Sequence, residues 1–210
     1  MIPAKADPAV QANYLKQTLE PRLLEAKEGK RAVFFVDAAH FVLAPFLGFL
    51  WSLTRLFIQA PSGRQRFNVL GALNATTHQL ITLSNDSYLN AQSLCLLLNK
   101  LAEQNLDVPI TLFLDNARYQ KCALVQNLAA SLNIELCYLP PYSPNLNLIE
   151  RLWKFVKKQC LYSKYYPDFA SFKAAINATL NELPTSHKPA LDSLLTLRFQ
   201  SFYDPQFVPV

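Results

Sequence analysis

The chain has 210 residues, 51% hydrophobic and 12% aromatic, a composition that excludes a disordered segment and suffices for a sizeable buried core. Its formal charge of +5 is unevenly spread: between Asp115 and Lys164 stand seven basic residues against three acidic ones. The apolar run from Phe41 to Trp51 is interrupted by Pro45 and Gly48 and falls short of the roughly 20 residues of a membrane span, so a soluble, cytoplasmic protein with no membrane partner is expected.

Residues 7–28 read as a helix, with Asp7 as cap, Pro8 in the first turn and Pro21 predicted to break or kink it. The opening lacks the apolar segment of a secretory signal, so 1–30 is a lead-in element. RAVFFVDAAHF (31–41) has the pattern of a buried strand, and RFNVLGALN (66–74) and HQLITLSND (78–86) form a predicted hairpin across Ala75-Thr76-Thr77. The period then changes. Leu94, Leu97, Leu98 and Leu101 recur at helical spacing, ITLFLDNA is a continuous apolar strand ending at Asp115, QKCALVQNLAASLN is helical and IELCYLP is again strand-like. A proline-rich loop leads into the helix of LPPYSPNLNLIERLWKFVKK (139–158), a further helix capped by Asp168 runs to Glu182, and LLTLRFQSFY (194–203) reads as helix or strand. The succession predicts a mixed α/β sheet. Cys95, Cys122, Cys137 and Cys160 form no C-x-x-C pair and are expected to be reduced, mostly buried thiols.

Three acids fall where such a sheet concentrates chemistry: Asp37 on the first strand, Asp115 at the carboxyl end of a later one, and Glu150 in the first turn of a helix. A buried acid is costly unless paired, hydrogen-bonded or bound to metal, and no lysine or arginine lies inside either apolar strand to neutralise Asp37 or Asp115. Hard divalent cations are natural partners. Each acid also has a bland explanation: Asp115-Asn116 as a turn, Asp37 as a cap, and Glu150 as the third residue of a capping box begun by Asn147.

At about 100° per residue, Leu148, Ile149, Leu152, Trp153, Phe155, Val156 and Cys160 share one arc of the 148–160 helix. Glu150, Arg151, Lys154, Lys157 and Lys158 share the other, which could carry a phosphate chain toward a metal or serve as a solvated face.

VDAAHF, FLDNARYQ and LPPYSPNLNLIERLWKFVKK, with 34 residues between Asp115 and Glu150, resemble the catalytic domain of bacterial insertion-sequence transposases of the mariner-like superfamily of DDE enzymes. SGRQRFNVLGALN is similar to that family's second-strand region, and the resemblance covers roughly residues 30–165. It implies an RNase H-like fold, a mixed five-stranded sheet with helices on both faces, with a lead-in at 1–30, a catalytic domain at 31–165 and a helical extension at 166–210. It implies metal-dependent cleavage and strand transfer of DNA, with Asp37, Asp115 and Glu150 holding Mg2+, two ions in all, for which Mn2+ can substitute. Arg118, Lys121, Arg151, Lys154, Lys157 and Lys158 are the candidate DNA contacts, and His40 and Asn116 the candidate supporting residues, while Tyr142 and Ser143 shape the loop and Trp153 belongs to the core. The expected partners are transposon ends and target DNA, a second copy of the chain on DNA, and a separate or upstream-encoded helix-turn-helix part, which about 30 residues before the first strand do not provide. The chain departs from the family in Asn145, where aspartate is common, and Leu148, where proline is common. The competing readings are a truncated remnant that only binds DNA or dimerises, and a host RNase H-like nuclease.

Overall fold

The computed structural model describes residues 5–43, 53–55, 57 and 65–200; most of the apolar run 41–51 lies outside them. Helix α1 (Pro8–Tyr14) is capped by Asp7, whose Oδ1 accepts from the N–H groups of Ala9 and Val10. Pro21 neither breaks nor ends the element. A π turn, Leu15–Leu19, precedes it and α2 (Glu20–Lys27) continues. The widened turn accommodates a residue that has no N–H and whose ring crowds the preceding turn.

Five strands form one sheet in the order β3-β2-β1-β4-β5. β1 (Ala32–Val42), β2 (Arg66–Asn74) and β3 (Leu80–Asn85) are antiparallel neighbours, the β2–β3 hairpin closing at Leu73↔Leu80 as its turn residues predict. β4 (Ile110–Leu114) and β5 (Ile134–Tyr138) run parallel to β1. Between them lie α3 (Ala91–Ala102), which buries Leu94, Leu97, Leu98 and Leu101, and α4 (Ala123–Ser131). After β5 come α5 (Ile149–Cys160), α6 (Phe169–Glu182), capped by Asp168 to Ser171 N, and α7 (Lys188–Leu194). No regular structure follows in 195–200, and the rest of the stretch 194–203 lies outside the described residues.

Strand alternation sorts the core into two layers. Phe34, Val36, Leu112 and Leu114 pack with α3 and α4; Val33, Phe35, Ala39, Phe41, Phe113 and Cys137 pack with α2, α5, α6 and α7. Helices thus cover both faces. Asp37 has the parity of the second layer, the one that receives α5. All four cysteines are free, two buried and two partly so.

Candidate active site

The register of the sheet brings the first two acids together. β1 and β4 pair up to Phe35↔Phe113, so two residues on, Asp37 and Asp115 lie level and on the same face, where the two strands part. Across β1, Asp37 stands opposite Gly71 of β2. A Cβ at Gly71 would lie 2.8 Å from the Trp153 ring and 3.1 Å from Ile149 Cδ1. The missing side chain therefore lets α5 settle onto the sheet beside Asp37. Leu148, Ile149, Leu152, Trp153, Val156 and Cys160 are all buried there, the arc the helical projection predicts, with Phe155 partly buried. Glu150, in the first turn, is carried to the acids.

Asp37, Asp115 and Glu150 line one cleft of about 450 Å3, walled on the far side by the Leu139–Pro144 loop and Asn147. Burial, the Glu150 carboxylate and, less strongly, Asp115 push the Asp37 carboxyl up to about 7, against the Ala38 N–H and Lys157, which act the other way. None of the three forms an ion pair with a basic residue among the described residues. Nor do any three His, Cys, Asp or Glu among them stand close enough to hold an ion as they are. What the cleft offers is three carboxylates along one opening with no ion-pair partner among the described residues, oxygen donors of the kind hard cations take. A larger cleft, about 760 Å3, lies between the N-terminal helices and residues 197–199, but it contains a single acid, Glu20.

The bland readings fare differently for each acid. Asp115 does make the turn, its Oδ1 accepting from Ala117 N at 3.1 Å. It faces the cleft as well. The capping box at Glu150 does not form: the residue flanking α5 is Leu148, without a side-chain cap, and Asn147 turns its side chain to the sheet, Nδ2 donating to Val36 O at 3.3 Å. Val36 lies one residue beyond the last pair of β1 with β4, where the parting strands leave room for that side chain to reach the backbone.

Supporting residues are partly redistributed. His40, three residues after Asp37, points to the opposite face, as strand alternation requires, and hydrogen-bonds Asn68 Oδ1 at 2.6 Å; it does not reach the acids. Asn116 ties the ends of β4 and β5 by donating to Leu139 O and accepts from Lys121 Nζ, which also lies 4.9 Å over the Tyr138 ring. Arg151, expected among the DNA contacts, is instead committed to the C-terminal segment: it donates to Thr196 O and Arg198 O at 2.7 and 2.6 Å and stacks on Phe199. Lys157 is half-buried, 5.9 Å over the Phe41 ring, while Arg118, Lys154 and Lys158 are exposed or nearly so. Two contributors escape the sequence reading altogether. Gly71 looks like any strand glycine until α5 is docked, and Gln11 of α1, buried, donates to Tyr142 O and accepts from Asn145, bracing the loop across 131 residues of sequence.

The family model described as DDE superfamily endonuclease matches residues 32–173. The chain belongs to that family. Its three acids lie within the matched span, on the elements just described. The insertion element IS630 uncharacterized 39 kDa protein of Shigella sonnei is 27% identical over 136 residues, which cover 63% of this chain and 40% of that one. The chain therefore spans less than half the length of this curated relative. Among solved structures, a Mos1 transposase paired-end complex with the left transposon end aligns at TM-score 0.61 and 14% identity over 95% of this chain and 66% of its own. The Mos1 transposase catalytic domain, solved with raltegravir and Mn, aligns at TM-score 0.54 and 15% identity over 94% of this chain and 100% of its own. The fold of this DDE endonuclease domain is thus the RNase H-like one of transposase catalytic cores, and among the described residues no helix is long and apolar enough to cross a membrane.

Proposed function

We propose that this chain is the catalytic domain of an insertion-sequence transposase of the mariner-like type, cutting and joining DNA strands in the cytoplasm with divalent metal bound at Asp37, Asp115 and Glu150. The observation that carries this reading is the cleft itself: three carboxylates from β1, the end of β4 and the start of α5 line one opening with no ion-pair partner among the described residues. Mg2+, as a pair of ions or replaced by Mn2+, would supply activation of the attacking oxygen and stabilisation of the leaving one. The protein's own part is to hold the donors on three rigid elements and leave the cleft open toward solvent. Water, then a DNA 3′-hydroxyl, would be the nucleophiles admitted there.

Of the candidate DNA contacts, Arg118, Lys154 and Lys158 are exposed and free to meet phosphates, with Lys157 nearer the acids and Lys121 tied to Asn116. Residues 31–165 form the catalytic unit in this reading, 1–30 its lead-in and 166–210 an extension of the same domain. Element ends and target are the DNA substrates, bound by two copies of the chain, with site choice supplied by a helix-turn-helix part encoded separately or upstream. The isolated chain then binds DNA with little sequence preference, its affinity coming from phosphate contacts. The test is a strand-transfer assay on element-end DNA with Mg2+, the upstream part supplied or fused. Joined products from the wild type, lost in Asp37→Asn, Asp115→Asn and Glu150→Gln, support the proposal. Cleavage without joining points to a nuclease, and DNA binding without chemistry to a remnant.

A further inference from the structure

Asn147 has a side chain divided between two tasks, one of which the fold leaves unfinished. It is 4% exposed and lines the acid cleft. Its backbone carbonyl accepts from Glu150 N at 3.2 Å, opening α5, and its Nδ2 donates to Val36 O, the carbonyl of the peptide bond that leads into Asp37. The residue thus joins the element that carries Glu150 to the backbone at Asp37. Because Val36 O accepts only from an N–H, the amide orientation is determined, and the oxygen is the end left over. Asn147 Oδ1 is buried and has no hydrogen-bond partner. An unmade hydrogen bond at a buried acceptor costs about 1–3 kcal/mol. A leucine, branched at the same atom, would avoid that cost, so the oxygen calls for a donor supplied from outside the chain.

We propose that Asn147 is a fourth oxygen donor of the acid cleft, its Oδ1 accepting a hydrogen bond from a water molecule of the hydrated divalent cation while its Nδ2 holds β1 and α5 together. The inference rests on the metal-binding reading of the three carboxylates and deepens it. The donor is neutral, which suits the place: a fourth carboxylate would add to the repulsion that already raises Asp37, whereas an amide oxygen adds an acceptor without charge. Mg2+ in particular keeps several of its waters when bound, so acceptors placed around it contribute through those waters. Partners of this kind, one step removed from a metal, typically change its affinity 10- to 100-fold when deleted.

The experiment is Mn2+ binding to the full chain, followed by calorimetry and by the electron paramagnetic resonance of free Mn2+, with metal-free thermal unfolding alongside, for the wild type, Asn147→Leu, Asn147→Asp and Asp37→Asn. Asn147→Leu is expected to weaken Mn2+ binding roughly 10-fold or more and to change metal-free stability little, since loss of the bond to Val36 O is offset by removal of the unpaired acceptor. Asn147→Asp keeps an oxygen for the cleft but faces Val36 O with no donor, so it is expected to bind Mn2+ at least as tightly as wild type while unfolding at lower temperature. Equal Mn2+ affinity in wild type and Asn147→Leu would overturn the proposal and leave Asn147 as a structural clamp. If Asn147→Leu does not fold, Asn147→Asp decides alone: weaker Mn2+ binding than wild type counts against the proposal. A wild type that binds no more Mn2+ than Asp37→Asn would instead remove the metal site itself, and the inference with it.

Discussion

The two ends of the sheet face that receives α5 hold acids in opposite conditions. Near the start of β5, Glu135 accepts from Arg22 Nε at 2.9 Å, from Arg31 at 3.1 Å and from Thr111 Oγ1 at 2.7 Å, and these partners, Arg22 first, bring its carboxyl down to about 2. At the far end, Asp37, Asp115 and Glu150 share a cleft with no ion pair among the described residues, and Asp37 rises to about 7. The same fold therefore neutralises an acid where it ties α2 to the sheet and leaves three uncompensated where the strands part. Glu135 acquires its partners within the fold, whereas the acids left to repel one another are the candidates for a partner from solution under the proposed function.

The largest effect that would break this contrast is on chemistry. Asp37→Asn, Asp115→Asn and Glu150→Gln are each expected to reduce Mg2+-dependent DNA cleavage below detection with the fold retained, checked by gel assay and circular dichroism. Near wild-type cleavage by Glu150→Gln would return that residue to a helix-end role. Next comes the approach of α5. Gly71→Ala puts a methyl 2.8 Å from the Trp153 ring, so we expect a loss of about 1–3 kcal/mol in denaturant unfolding, accompanied by weaker cleavage because Glu150 is displaced from the strand acids.

At the paired end, Glu135→Gln leaves Arg22 and Arg31 short of their partner and is expected to cost about 2 kcal/mol, without effect on the chemistry per folded molecule. The pH dependences have opposite signs. Glu135 is depressed below its ordinary 4.5, so its contribution is present above that pH and is lost as pH falls toward 2. Asp37 is raised above its ordinary 3.8, so its contribution favours the metal-free fold below that value and is lost as pH rises through 7. Asp37→Asn should therefore be more stable than wild type at pH 8 without metal, by about 1–2 kcal/mol once its partial exposure is allowed for, and unfold at a higher temperature. A thermal-melt series from pH 4 to 8 reads this directly, and a flat difference would mean that Asp37 is not strained by its neighbours.

The smallest effect separates the cations. Replacing Lys154 and Lys158 by glutamine should reduce the slope of log affinity against log salt by about 0.9 for each duplex phosphate that the side chains no longer neutralise. Arg151→Ala should instead loosen the C-terminal segment, because its guanidinium holds Thr196 O and Arg198 O; faster proteolysis of that segment, with the salt slope unchanged, is the expected result.

Where local pattern decides, the sequence was legible. The five strands, the buried arc of α5, the caps at Asp7 and Asp168 and the places of the three acids on these elements follow from period and turn residues, since each depends on neighbours within a few positions. Ahead of Pro21 the helix distorts into a π turn instead of breaking, and residues 195–200 form no regular element because they take their place from Arg151 rather than from any period of their own.

Period and residue type were thus enough to say which elements form up to α6 and which acids they carry, while α7 went unforeseen. Docking of those elements decided which of the neighbouring side chains reach the cleft. His40 was lost to the other face because three residues along a strand reverse a side chain, Arg151 was withdrawn by carbonyls 45 and 47 residues away, and Asn147 left the helix end for Val36, 111 residues earlier. Gly71 acquired its meaning only when Trp153 came to lie against it. Hydrogen bonds and close packing are satisfied by whatever the fold brings within about 3 to 4 Å, and that proximity is a property of the docked elements, not of the spacing along the chain.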